Sequence, residues 1–164
     1  MKEYKILIFF IFIIILLRLF VAEIFIVSGR SMDFTLHDNE RVIGLKQFNI
    51  DRFDVVVMDS HKDKLYVKRV IGLPGDKIEY KNDELYVNDI LIEEPYLDEH
   101  KENSIEKITE DFIVKKIPNN KYFVMGDNRT NSLDSRKIGF IDKEDILMEA
   151  VYIVWPLDKI GIVD

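Results

Sequence analysis

The feature that most constrains this chain is the stretch 4–27, YKILIFFIFIIILLRLFVAEIFIV, which is almost wholly apolar. Ile6 to Leu17 is an unbroken apolar run of 12 residues, after which Arg18 and Glu23 interrupt the pattern. That run falls short of the roughly 20 residues that cross a bilayer core, so a spanning helix must continue past both charges. They lie toward the far end of a helix beginning near Tyr4, where long side chains can reach the interface. Lys2 and Lys5 would also suit a cleavable export leader, but no small-residue cleavage site follows the apolar run. The expectation is therefore an uncleaved, single-pass anchor over 1–27. Lys2, Lys5 and the α-amine place its N-terminus in the cytoplasm. Residues 28–164 then form one domain outside the cytoplasm, held at the cell membrane.

The full chain of 164 residues leaves room for a single domain of modest size beside such an anchor. Of its 23 Lys+Arg and 30 Asp+Glu, three and two fall within 1–27, so the remainder is acidic. An acidic domain lacks the many Lys/Arg contacts that phosphate backbones require, and nucleic acid is excluded as a partner. With no cysteine there is no disulfide, thiolate nucleophile or Cys-based metal site. His37, His61 and His100 are scattered among polar residues without ligand spacing and read as solvated surface side chains, so no metal or cofactor is expected.

After Leu36 the pattern changes to short runs rich in Val, Ile, Tyr and Phe. These are RVIGL (41–45), DVVVMD (54–59), LYVKRVIGL (65–73), KIEY (77–80), ELYV (84–87), ILIEE (90–94), KYFVMGD (121–127) and MEAVYIVW (148–155). Turn residues separate them, notably PGD at 74–76, KND at 81–83 and ND at 88–89. The spacing predicts consecutive hairpins and a mainly β, antiparallel domain. Helix is expected in only two places: 103–113, where Ile105, Ile108 and Phe112 recur at roughly helical spacing, and a single turn at 142–146.

Ser31, just beyond the apolar stretch, becomes a nucleophile only if a base takes its proton. Lys68 is the candidate. Strand alternation puts Tyr66, Lys68 and Val70 on one face and Leu65, Val67, Arg69 and Ile71 on the other, both largely apolar. Desolvation there disfavours the ammonium, and a drop of roughly 3 units from about 10.4 lets the amine accept a proton near neutral pH. Taken alone, a strand lysine is ordinarily solvated and GDNRTNSLDSR (126–136) is an ordinary polar turn.

Three separated blocks outweigh those bland readings. SGRSMDFTL (28–36), YVKRVIGLPGD (66–76) and GDNRTNSLDSR, with Gly139 and Phe140 following, make the chain resemble the type I signal peptidase family. Its small Gram-positive-like form is the better match, and the resemblance extends through LYVNDILIEEPYL and VYIVWPLDKIG. It implies a membrane-anchored serine endopeptidase of the family's antiparallel β-fold, removing signal peptides from exported preproteins through an acyl-enzyme. Carried over by residue, Ser31 is the nucleophile and Lys68 the general base. Ser132 orients the lysine amine, Arg69 and Asp127 form a structural ion pair, and Asp134 and Arg136 give further support.

The backbone N–H of Ser31 is an implied oxyanion donor. Gly29 stands where some relatives carry a serine hydroxyl, leaving its own backbone as the other candidate. The implied partners are preprotein signal peptides with small residues at −1 and −3, bound as an extended strand, together with the lipid bilayer and the secretion translocon. One departure is Phe34, where the family usually has proline. Phenylalanine cannot fix φ, but it can dip into the bilayer interface or pack under the loop. Competing readings are a self-cleaving repressor protease, a non-catalytic homologue acting in assembly, for example of pili, and a tethered binding module with an unreactive Ser31. The absence of a DNA-binding segment disfavours the first, and the presence of both Ser31 and Lys68 disfavours the second.

Overall fold

A computed structural model describes residues 2–60 and 64–163, so His61 lies outside the described residues. Helix α1 spans Lys2–Phe20. The apolar run then changes structure: Ala22–Ile26, which the hydropathy reading carries into the anchor, is strand β1, paired antiparallel with β2 (Arg41–Leu45). The strand-forming Ile24, Phe25 and Ile26 explain the switch, with Phe25 packed against the core. Glu23 makes an ion pair with Lys46 at 2.8 Å. Among the described residues, no helix is long and apolar enough to cross a membrane.

The rest is antiparallel β-structure, as the strand pattern predicts. The larger sheet has eight strands among the described residues, with β1 and β2 followed by β11 (Ile146–Trp155), β3 (Val55–Asp59), β4 (Leu65–Gly72), β9 (Lys121–Met125) and β10 (Ile141–Asp142). A short β12 (Gly161–Ile162) pairs with β11. The smaller sheet runs β7 (Ile90–Ile92), β6 (Glu84–Val87), β5 (Ile78–Lys81), β8 (Phe112–Val114). Its two hairpins turn at Asn82-Asp83 and Asn88-Asp89, all four with positive φ, as two-residue turns that match strand twist require.

The expected helix over 103–113 does not form. A short α2 occupies Asp98–Asn103 instead, and Phe112 opens β8 opposite Tyr80. Ile105 is fully exposed, while both Asp83 carboxylate oxygens accept the Ile108 and Thr109 amides at 2.9 Å. That long-range clamp ties the backbone to the hairpin turn rather than to a helical ladder. The single turn near 142–146 is present as a 3₁₀ turn, Lys143–Asp145.

Two apolar clusters matter for the site. Met32 and Leu36 pack with Val27, Val42, Val55, Ala150 and Ile153, seating the Ser31 loop on the larger sheet. Ile71, Phe123 and Met125 pack with Ile78, Tyr80 and Leu85, joining the two sheets.

Candidate active site

Ser31 lies in the connection between β1 and β2. The apolar residues on its C-terminal side fix this loop: Met32 and Leu36 are almost fully buried, and the Met32 carbonyl accepts the Thr35 and Leu36 amides at 2.8 and 2.7 Å. Gly29 has φ of +94°, a conformation that favours glycine, and its amide donates to Asp38 Oδ1 at 2.8 Å. That bond takes up the Gly29 N–H considered above as an oxyanion donor. The Ser31 N–H carries no such bond among the described residues.

Lys68 sits within β4, opposite Val56 of β3, and is 2% exposed. Its Nζ is 2.6 Å from Ser31 Oγ and donates to the Val67 carbonyl at 2.7 Å. It also lies 5.5 Å from the centre of the Tyr66 ring, its neighbour on the face that strand alternation predicts. Burial drives the amine from its ordinary value to about 8, against the opposing pull of Asp134 and Asp127. A lysine in that state can receive a proton from the hydroxyl it touches.

The 126–136 block closes the site from the end of β9. Asp127 is fully buried and accepts from Arg69 through Nε at 3.0 Å and Nη2 at 2.8 Å. The Thr35 hydroxyl donates to the same carboxylate at 2.5 Å, so this ion pair also grips the serine loop. Asp134 caps α3 (Ser135–Ile138), takes Arg136 through two guanidinium nitrogens, and accepts the Gly126 amide at 3.0 Å. Burial opposes ionisation of Asp134, yet Arg136 and the Gly126 amide hold its carboxyl below the usual range. Arg69 with Asp127 and Arg136 with Asp134 are thus two ion pairs beside the lysine strand.

Ser132 is buried in the same place, but its hydroxyl leans toward Asp134 without reaching a full hydrogen bond. In this arrangement the second contact of the lysine amine is the Val67 carbonyl rather than Ser132 Oγ.

Three participants escaped the residue-by-residue reading. A Cβ at Gly126 would overlap both Ser132 Oγ and the Ser31 carbonyl, so only glycine permits the third block to approach the serine. Asn128 spans the gap through its N–H to the Ser31 carbonyl at 3.1 Å and its Nδ2 to the Arg30 carbonyl at 2.9 Å. Arg129 has a fully buried side chain paired with Glu94 at 2.6 Å. Gly126, Asn128 and Arg129 all fall inside a block already singled out, whereas nothing local marks Glu94.

The family model described as signal peptidase, peptidase S26, matches residues 1–155. Signal peptidase I of Bacillus licheniformis is 43% identical over 155 residues, covering 89% of this chain and 83% of the relative. Signal peptidase I S of Bacillus subtilis is 43% identical over 154 residues, covering 88% and 83%. Signal peptidase IB of Staphylococcus aureus is 43% identical over 157 residues, covering 85% and 81%. A crystal structure of a signal peptidase I from Enterococcus faecalis superposes with a TM-score of 0.58 at 36% identity, covering 60% of this chain and 94% of that one.

Proposed function

The chain belongs to the signal peptidase family, peptidase S26, and from that premise we propose that Ser31 and Lys68 carry out its catalysis. It is a serine endopeptidase that cleaves signal peptides. The observation that supports the assignment is the 2.6 Å contact between a serine hydroxyl and a buried amine lowered to about 8.

Neutral Lys68 takes the Ser31 proton as Oγ attacks the scissile carbonyl, and the Ser31 N–H donates to the oxyanion. As the C–N bond breaks, the ammonium returns its proton to the leaving amine. The neutral amine then deprotonates a water, which attacks the acyl-enzyme and regenerates Ser31. With the amine near 8, on the order of a tenth of the free enzyme has a neutral lysine at pH 7. The Arg69–Asp127 pair and the Asp134–Arg136 pair hold the two reacting groups in register, and the Val67 carbonyl fixes the amine beside Ser31.

The substrate binds as an extended segment with small residues at −1 and −3, adding to an exposed strand edge. The apolar N-terminal segment, with most residues from Ile6 to Ile15 exposed along α1, holds the enzyme at the lipid bilayer with its N-terminus on the cytoplasmic side. The β-domain then works on the outer face, where preproteins leave the translocon. The non-catalytic assembly reading is not favoured, because serine and lysine are both present and in contact.

The test is cleavage of a preprotein by the purified full chain and by Ser31→Ala and Lys68→Ala variants. Removal of either group should eliminate measurable turnover, a loss of about 10³-fold or more. Full activity in either variant overturns the assignment.

A further inference from the structure

The segment between β7 and β8, residues 94–100, touches each of the three blocks that build the site, and does so with a different chemistry each time. Glu94 receives Arg129 Nη2 at 2.6 Å, and the pair is closed by the Tyr80 and Tyr96 hydroxyls, which donate to the same oxygen at 2.6 and 2.7 Å. Tyr96 lays its ring 4.0 Å from the guanidinium of Arg69, the residue beside the lysine on β4. His100 stacks on Phe34, three residues beyond Ser31, with ring centres 3.4 Å apart and planes 10° from parallel. Between these contacts Leu97 is completely buried and fixes the segment to the core. His100 is thus a packed ring, not the solvated surface residue its polar neighbours suggest.

We propose that residues 94–100 form a positioning strap. It sets the serine loop, the lysine strand and the Asp127–Arg136 block relative to one another, and His100 stiffens the serine loop by clamping Phe34. The inference rests on the Ser31–Lys68 reading only for its effect on turnover.

The clamp answers a specific need. A proline at position 34 would restrain φ covalently, and the Phe34 N–H donates no hydrogen bond among the described residues that proline would sacrifice. Phenylalanine leaves φ free, so the restraint must come from packing. A half-buried ring sandwiched by an imidazole supplies it, and Met32 and Leu36 hold the loop on either side. Glu94, Tyr96 and His100 touch neither the reacting atoms nor the expected position of the scissile bond. They are positioning residues.

The experiment compares wild type, His100→Ala, His100→Phe, Phe34→Pro and the Phe34→Pro/His100→Ala double variant, each as the full chain in detergent micelles with a preprotein. His100→Ala should lower kcat by about threefold to tenfold with KM nearly unchanged, the worth of one aromatic stack. His100→Phe should restore kcat, because a ring rather than a charge is required. Phe34→Pro should stay within about tenfold of wild type, and adding His100→Ala to it should have almost no further effect. In parallel, amide hydrogen exchange over 31–36 should speed up in His100→Ala but not in the double variant. An unchanged kcat and exchange rate in His100→Ala, or an equal loss in both backgrounds, overturns the strap. If no variant cleaves but exchange responds as described, the Ser31–Lys68 reading fails and the strap stands.

Discussion

Lys68 and Arg129 are both cations with 2% exposure, buried in neighbouring parts of one site, yet they are treated in opposite ways. Around Arg129 the protein gathers the Glu94 carboxylate, two tyrosine hydroxyls and the Thr109 hydroxyl. Burial works against that charge, but these partners keep the guanidinium protonated. Around Lys68 it places a serine hydroxyl, a backbone carbonyl and a tyrosine face, with no carboxylate in contact among the described residues. The nearby carboxylates of Asp127, Asp134 and Glu94 are each engaged by an arginine. Arginine cannot give up its proton, so it absorbs the negative charge permanently and leaves the lysine undersupplied. The contrast explains how an acidic domain can contain an amine poised to lose its charge.

The comparison is most severely tested by breaking the satisfied side. Glu94→Gln leaves Arg129 buried without its counter-charge and should cost about 3 kcal/mol or more of stability. Denaturant unfolding measures this, and a loss under about 1 kcal/mol would mean that the hydroxyls alone suffice. On the undersupplied side, kcat/KM for preprotein cleavage should rise about tenfold per pH unit up to roughly 8 and level off above it. A profile already flat from pH 6 would mean that the amine is not the titrating base.

A smaller effect concerns stability. Folding lowers the Lys68 value, so the folded state binds this proton more weakly than the unfolded chain does. The penalty is fully present below about 8 and is relieved as pH rises from there toward the ordinary lysine value of 10.5. Lys68→Met should therefore be inactive but more stable at pH 7 by about 1–3 kcal/mol, with the gain shrinking at pH 10. Equal stability at pH 7 would show that the lysine is buried without cost.

What could be read without coordinates follows from the range of the forces involved. Strands such as 41–45 and 84–87 declare themselves through local alternation, and the Asn-Asp pairs at 82–83 and 88–89 mark their turns chemically. The Ser31–Lys68 contact, by contrast, rested on the resemblance, since neither residue's neighbours distinguish it from a solvated one. Three features were hidden for physical reasons. Residues 22–26 are as apolar as a membrane helix, and hydropathy cannot tell a lipid-facing residue from a strand packed on a sheet. Ile105, Ile108 and Phe112 imitate helical spacing, and only the distant Asp83 carboxylate decides otherwise. The Glu94–Arg129 pair joins residues 35 apart, and no periodicity reports such a contact.

The order of strands in the larger sheet has a consequence in time. The serine loop hangs from β1 and β2 while the lysine belongs to β3 and β4, and the strand that bridges these halves is β11, residues 146–155. As the polypeptide grows, both reactive residues are made long before the segment that brings their supports side by side. A chain that ends before β11 lacks the strand that joins these two half-sheets, and such non-local pairing is slow to form. Completion of the sheet that carries both the serine loop and the lysine strand is thereby tied to one of the last strands to be made.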